Sequence, residues 1–264
     1  MDKIRQKLKM YAHHPASFLL ALLVWISAIF TAVTLIFIVG YILIKGVPHL
    51  TPQLFELEYN SENVSMFPAI INTIFMIVLS LLVAGPLGIF AAVYLVEYAK
   101  KGNKLVSVVR VTAETLTGIP SIVYGLFGML FFVTTLRWGY SMLAGAFTLA
   151  IMVLPVIMRT TEEALLAVPD TYREASFGLG AGKLRTIFVV ILPSAVPGIF
   201  SGVILSIGRI VGETAALMYT AGTVAELPDS VMSSTRTLSV HMYSLASEGL
   251  YVNQAYATAV VLLV

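Results

Sequence analysis

The sequence predicts an all-α protein that crosses a membrane several times, and its composition is the first reason. Of its 264 residues, 58% are hydrophobic and 11% are charged, whereas soluble domains average about 45–50% and about 25%. Long stretches without a charged residue are the second reason, because a helix needs about 20 apolar residues to cross a bilayer. The third is that Lys and Arg concentrate in alternate connections between these stretches. The apolar excess is therefore expected to face lipid.

Five uncharged runs are long enough to cross the membrane, and each predicts a helix. They cover residues 18–44, 69–96, 115–136, 138–158 and 186–208, with the last continuing to about residue 219. A sixth run starts near Ala255 and reaches Val264, so the last of six membrane helices is expected to be truncated. The first run is far longer than the ~7–15-residue core of a signal peptide, which predicts an uncleaved anchor.

The positive charges predict how the chain is oriented. Twelve of the 16 Lys and Arg residues lie in residues 1–17, 100–110 and 159–185. Because positively charged loops stay in the cytoplasm, we expect the N-terminus 1–17 and the loop 159–193 to be cytoplasmic. The loops 45–68 and 221–252, which together carry six acidic residues, are then external.

Composition also disfavours several classes of function. A net charge of +2 without a basic cluster argues against nucleic-acid binding, and the absence of Cys excludes disulfides and thiolate chemistry. The four histidines show no metal-ligand spacing, and no catalytic motif is found. Residues 178–183 resemble a phosphate-binding loop, but Phe177 and Leu184 stand where that loop requires Gly and Ser or Thr. We therefore expect no catalytic residue, metal or cofactor in this chain, and any ATP must be bound by a partner.

The loop 159–193 is expected to form two short amphipathic helices at the membrane face. Thr161 is a suitable N-cap for the first helix, and Pro169 interrupts the chain before a second helix around Tyr172. The glycines in residues 178–182 end the second helix. This pattern fits either an interfacial helix or a docking site for a partner.

The same loop resembles the EAA signature of ABC-importer permeases, written E-A-A, three residues, G, nine residues, I-x-L-P. The spacing matches, with Ser176 in place of the second Ala and Val190 in place of Ile. The corresponding residues are Glu174, Ala175, Ser176, Gly180, Leu192 and Pro193. Residues 118–125, 159–164 and 208–217 are similar to the phosphate-importer permeases of the PstA type. The resemblance covers about residues 72–219.

The resemblance implies a six-helix type I ABC importer permease in the cytoplasmic (inner) membrane of a prokaryote, with residues 69–264 as the permease core. It implies a noncatalytic subunit for phosphate import, paired with a homologous PstC-type permease. An ATPase dimer of the PstB type would hydrolyse ATP with Mg²⁺, and an external PstS-type protein would bind phosphate. Residues 174–180 would dock on the ATPase.

Arg209 and Glu213 interrupt the fifth predicted span and are the expected residues of the substrate path. Counting ~1.5 Å per residue from Ser194 puts Arg209 about 22 Å into the bilayer, where a charge costs about 2.5–3.5 kcal/mol. Arg209 shares a helix face with Gly198 and Gly202, so another helix is expected to pack there. The two charges form either a structural i, i+4 ion pair or a phosphate site in which Glu213 orients Arg209.

A turn formed by Gly118, Pro120 and Ser121 is predicted near the path, at the start of the third span. Ser121 is expected to cap the helix that follows. The cap is either an ordinary N-cap or part of a helix N-terminus that favours an anion.

Three other functions are compatible with the sequence. An ABC permease for another oxyanion, such as molybdate or sulfate, would differ in substrate competition. A channel or secondary transporter would be expected to carry inverted repeats and more ionisable residues inside the membrane. A membrane scaffold or receptor would not require Arg209 or the loop 159–193.

Overall fold

The computed structural model describes residues 15–100 and 102–264, and every regular element in these ranges is helical. The all-α prediction is confirmed, while most of the predicted N-terminal segment 1–17 lies outside the described residues. In chain order the helices are α1 (Pro15–Gly46), α2 (Phe67–Val93), α3 (Lys104–Thr117), α4 (Ser121–Gly128), α5 (Met142–Leu166), α6 (Asp170–Gly178), α7 (Lys183–Thr186), α8 (Leu192–Gly212), α9 (Ala215–Met218), α10 (Leu238–Glu248) and α11 (Val252–Leu263). Wider π-helical turns follow α2 (Tyr94–Tyr98), follow α4 (Met129–Thr135) and precede α8 (Ile187–Ile191).

Four continuous helical stretches are long and apolar enough to cross a membrane. They are Ala16–His49, Phe67–Tyr98, Met142–Leu166 and Lys183–Gly212, and they coincide with four of the five complete predicted runs. The 12-residue α11 begins three residues before the predicted start of the sixth run and covers most of that run. The predicted continuation of the fifth helix to residue 219 is wrong, because α8 ends at Gly212 and the chain then changes direction.

The third predicted span, residues 115–136, is not one helix. α3 ends at Thr117, α4 begins at Ser121, and their axes are bent by 103°. Pro120 supplies the physical reason, because proline donates no backbone hydrogen bond and disfavours helical geometry at the preceding residue. The uncharged run therefore extends across a break in the helix.

The helix α5 lies at the centre of the fold, where it packs along both α2 and α8. Its buried surface is rich in small residues, including Ala144, Gly145, Ala146 and Ala150. Small side chains let neighbouring helices approach closely, which is how helices associate inside a membrane. In contrast, no residue in the apolar stretch of α1 is buried, and this helix joins the fold mainly through α11.

The charged connections lie at opposite ends of the helices. One end, called the basic end here, contains Lys100, Lys104, Arg110, Arg159, Arg173, Lys183 and Arg185 together with six acidic residues. The other, called the acidic end, contains Glu56, Glu58, Glu62, Glu226, Asp229 and Glu248. Ion pairs join the elements of the basic end, for example Arg110 with Glu162 at 2.5 Å. At the acidic end, hydrogen bonds from Asn72 and to Thr73 tie the start of α2 to the segment before α10.

Both predicted loops are more helical than expected. Residues 159–166 belong to α5, so Thr161 is a buried residue inside this helix and the predicted N-cap is wrong. The helix continues because no proline or glycine follows Met158 in it, and Met158 and Leu165 are both held in the core. The second predicted helix is α6. The segment 221–252 contains α10, whose first turn is buried.

Candidate functional site

Arg209 lies in the last turn of α8, toward the acidic end, and Glu213 follows just after the helix. Glu213 has extended backbone geometry with a ψ of 126°. Its carboxylate Oε1 accepts a hydrogen bond from the Ala216 backbone N–H at 3.0 Å. No ion pair joins Arg209 and Glu213 among the ion pairs of residues 15–100 and 102–264. Of the two alternatives for these charges, the i, i+4 ion pair is not observed, because the helix stops between the two residues.

Glu213 is instead a buried connection between three elements. It is only 8% exposed, and its backbone carbonyl accepts a 2.6 Å hydrogen bond from the Ser239 hydroxyl. Together with the bond to Ala216, this ties the end of α8 to α9 and α10. A buried carboxylate is costly unless it is hydrogen-bonded, so the bond from the Ala216 N–H stabilises this turn.

Tyr124 connects the broken third span with the surroundings of Arg209. It is buried in α4, and its hydroxyl donates a 2.8 Å hydrogen bond to the Leu116 carbonyl in the last turn of α3. The Arg209 guanidinium lies within electrostatic range of the same hydroxyl. The structure therefore brings Arg209 and the break at residues 118–120 into one region.

The predicted turn is present, but Ser121 does not cap α4. Pro120 occupies the N-cap position with a ψ of 140°, and no side chain there accepts a hydrogen bond from the helix. Ser121 is already the first helical residue. The cap prediction is wrong because Pro120 supplies the non-helical position one residue earlier. Gly118 follows α3, and its N–H donates to the Thr115 carbonyl at 3.1 Å.

The predicted close packing along one face of α8 is confirmed. Gly198 lies against Ala164 of α5, and a Cβ atom on Gly202 would overlap the side chain of Thr160. Ser206 is buried on the same face, where its hydroxyl donates to the Gly202 carbonyl at 2.9 Å. This row of small residues fixes the distance between α8 and α5.

The EAA residues lie at the basic end, at the opposite end of α8 from Arg209. Glu174 and Ala175 are exposed on α6, while Ser176 is half-buried and shares a 2.8 Å hydrogen bond with the Thr186 hydroxyl. Gly180 has a φ of +82°, a conformation that favours glycine. The N–H groups of Gly180 and Ala181 donate to the carbonyls of Phe177 and Ser176, which forms a Schellman motif. The glycine of the signature therefore ends the helix.

The surface formed by α6 and the residues up to Leu184, called the α6 surface below, is unusually apolar for a charged end of the molecule. Its large exposed side chains are Tyr172, Phe177, Leu179 and Leu184. Leu179, between the two short helices, is 89% exposed. Exposed apolar patches with a polar rim mark sites of protein interaction. Glu174 supplies a charged group next to this patch.

Leu192 and Pro193 open α8 directly after the π-helical turn Ile187–Ile191. Pro193 cannot donate a backbone hydrogen bond to the preceding turn, and a wider turn accommodates this loss. Ile187 and Ile191 are buried in the core, so the turn is held in place. The last part of the signature thus forms the first residues of α8, directly after the π-helical turn.

Sequence reasoning missed an ion pair that connects α6 with the π-helical turn directly after α2. Arg173 Nη2 donates to the Glu97 carboxylate at 2.8 Å, and Arg173 Nε donates to the same oxygen at 3.1 Å. Two signals were available: Glu97 is the charge that ends the second uncharged run, and Arg173 directly precedes the EAA residues. Their contact joins residues 76 positions apart, which no local pattern predicts.

A second missed cluster holds the acidic end together. The guanidinium carbon of Arg236 lies 4.7 Å from the ring centroid of Tyr59, and the His241 ring packs edge-on against Tyr59 at 6.2 Å. Burial, followed by the charge of Arg236, lowers the pKa of His241 to about 3. His241 is therefore neutral at physiological pH, and the cluster packs the loop before α2 against α10.

Comparison with known proteins decides the family. Residues 84–264 match the family described as the binding-protein-dependent transport system inner membrane component, over more than half of the chain. The chain belongs to this family. The permease is therefore a multi-pass membrane component without a catalytic role of its own, and the resemblance based on the EAA signature is confirmed.

Individual relatives agree with this assignment. The permease is 34% identical to the probable ABC transporter permease protein YqgI of Bacillus subtilis, over 85% of this chain and 81% of the relative. It is 40% identical to the phosphate transport system permease protein PstA of Pasteurella multocida, over 77% and 72%. PstA of Haemophilus influenzae is 34% identical, over 83% and 78%.

A solved structure supports the predicted fold. A chain of the MetNI methionine ABC transporter, in an inward-facing conformation, superposes with a TM-score of 0.57. The superposition covers 75% of this chain and 86% of that chain at 20% sequence identity. Likeness at this level of identity concerns the fold, and it confirms the predicted ABC-importer permease architecture.

Proposed function

We propose that this chain is a permease subunit of an ATP-driven importer of inorganic phosphate. The observation that carries the proposal is its similarity to PstA phosphate transport permeases over more than two thirds of both chains. The chain would form half of the translocation path, and a homologous PstC-type permease would form the other half.

The energy source belongs to partners in this proposal. Because the chain lacks a nucleotide-binding loop, ATP and Mg²⁺ are bound by a PstB-type ATPase dimer. Two features support docking of that dimer on the α6 surface: the exposed Glu174 and Ala175, and the apolar side chains beside them. A PstS-type binding protein would deliver phosphate at the acidic end. The basic end and the N-terminus then face the cytoplasm of a prokaryotic cell.

Arg209 is proposed to bind phosphate in transit. Its guanidinium has no carboxylate within ion-pair distance in the described part of the chain, and it is half-buried. A guanidinium donates two parallel hydrogen bonds to phosphate oxygens, so it suits this anion better than an ammonium group does. Glu213 would act on Arg209 through the turn it stabilises. The break around Gly118, Pro120 and Ser121 would border the same path.

The proposal is tested by uptake of labelled phosphate into cells that lack their own high-affinity importer. The chain is supplied together with its proposed partners, or omitted, and unlabelled sulfate and molybdate are added as competitors. We expect uptake that requires this chain, stops when ATP is depleted and is unaffected by either competitor. Competition by sulfate or molybdate would assign the permease to another oxyanion. ATP-independent uptake would favour a secondary transporter or channel, and uptake independent of the chain would remove phosphate as its substrate.

A further inference from the structure

Arg173 makes more polar contacts than its place on a short surface helix requires. Besides the two hydrogen bonds to Glu97, its Nη1 donates to the Val168 carbonyl at 3.0 Å and its Nη2 donates to the Leu165 carbonyl at 3.1 Å. A further bond reaches the exposed carboxylate of Asp170 at 3.1 Å. The guanidinium thus joins α6 to the end of α5 and to the turn that follows α2.

The ion pair is shielded from solvent, unlike others at the basic end. The side chains of Arg173 and Glu97 are 16% and 9% exposed, whereas the Arg159–Glu163 pair is 55% and 65% exposed. Exposed ion pairs contribute little, but removing one partner of a buried pair leaves an uncompensated charge. Arg173 and Glu97 are therefore held together much more firmly than a surface pair.

A second contact joins the same two regions independently. The Lys183 ammonium lies 4.6 Å from the ring centroid of Tyr98, the residue after Glu97. Lys183 opens α7, on the other side of the turn formed by Gly180. The π-helical turn Tyr94–Tyr98 therefore contacts one residue before the Gly180 turn, Arg173, and one residue after it, Lys183.

The helix that carries this turn reaches the acidic end. The continuous stretch Phe67–Tyr98 has 32 residues, or about 48 Å at ~1.5 Å per residue. Near its start, the Asn72 amide donates to the Arg236 carbonyl at 3.3 Å, and the Thr73 hydroxyl accepts from the Leu238 N–H at 2.9 Å. One helix thus contacts α6 at one end and the beginning of α10 at the other.

We propose that Arg173 is a positioning residue that couples α6 to α2 through Glu97, so that a displacement of α6 moves α2 and the acidic end together. This inference rests on the proposed function, in which an ATPase displaces α6. The Arg173–Glu97 pair links ATP hydrolysis by the partner to phosphate transport through this chain. Without it, α6 still binds the ATPase, but its movement is transmitted poorly to the helices.

The test uses the complete importer complex in proteoliposomes and measures phosphate transported per ATP hydrolysed. Glu97→Gln, Arg173→Gln and the double variant are compared with Glu163→Gln, the same chemical change in an exposed ion pair. We expect each single variant to assemble and hydrolyse ATP, with the transport-to-ATP ratio lowered about fivefold or more. The double variant should be no worse than Arg173→Gln alone, and Glu163→Gln should match the wild type.

Three other results with the variants would overturn the inference. An unchanged ratio in Glu97→Gln, or additive effects in the double variant, would show that the pair does not couple α6 to α2. Loss of assembled complex with an unchanged ratio would show a structural role only. If the wild-type complex itself hydrolyses ATP without moving phosphate, the proposed function fails, which is a different result from failure of the coupling role.

Discussion

At the scale of single residues, Arg209 is the side chain that we propose recognises the substrate. Its helix ends three residues later, and the nearby carboxylate of Glu213 is engaged by the Ala216 N–H. An arginine paired to a carboxylate would have to break that pair before binding an anion. The geometry of the turn keeps the guanidinium free of this competition in the described part of the chain.

We predict that Arg209→Lys and Arg209→Ala both impair phosphate uptake. Lysine retains the charge but cannot donate two parallel hydrogen bonds, so we expect about a tenfold loss for Lys and a larger loss for Ala. Uptake is measured at equal membrane expression, with Arg137→Lys, an exposed arginine outside the path, as the control. Wild-type uptake in both Arg209 variants would exclude the proposed role.

At the scale of elements, the contact between α8 and α5 sets the position of the helix that carries Arg209. Gly202 and Gly208 lie on the same helix, but only Gly202 faces a neighbour. A Cβ atom at Gly202 would overlap Thr160, whereas nothing lies within 4 Å of a Cβ atom at Gly208. Substitutions at these two glycines therefore distinguish the effect of helix packing from the effect of helix propensity.

We predict opposite effects of alanine at these two positions on the free energy of unfolding. Gly202→Ala should destabilise the chain by about 1–3 kcal/mol, because the added methyl group forces α8 away from α5. Gly208→Ala should be neutral or stabilising by up to ~1 kcal/mol, since alanine favours helix. Thermal unfolding of the isolated chain in detergent measures both. If Gly202→Ala is as stable as Gly208→Ala, the contact between α8 and α5 tolerates a larger residue and the prediction is wrong.

At the scale of the whole molecule, most Lys and Arg residues lie at one end, and the long helices that lead to the other end are largely apolar. The basic end carries the α6 surface, and the acidic end carries the cluster of Tyr59, Arg236 and His241. Each end is therefore suited to different partners. The absence of cysteine makes this arrangement accessible to labelling, because any introduced thiol is unique in the chain.

We predict that a cysteine at Leu250 reacts with a membrane-impermeant maleimide on intact cells, while a cysteine at Leu179 reacts only after permeabilisation. Both positions are highly exposed, at the acidic and basic ends respectively, and positive loops stay in the cytoplasm. The chain is expressed without its ATPase, so that docking does not shield Leu179. The reverse labelling pattern would contradict the proposed orientation.

Sequence reasoning succeeded where a property depends on neighbouring residues. The long runs at residues 18–44 and 69–96 are helices because their apolar composition and length suffice. The face of α8 with Gly198 and Gly202 was predicted from helical periodicity alone. Sequence reasoning failed for the predicted helix caps Thr161 and Ser121, because a cap depends on where a helix starts. Core packing of Met158 and Leu165 extends α5 through Thr161, and Pro120 takes the N-cap position before Ser121.

The sequence by itself determined that this protein is a helical membrane permease, because composition, run length and the EAA spacing are properties of the chain as written. Only the tertiary structure decided how the charged residues are used. It separated Arg209 from Glu213 by ending α8 between them, and it joined Arg173 to Glu97 across 76 positions. The physical reason is that partners for buried charges are set by which helices pack together, and helix packing depends on contacts between distant parts of the chain.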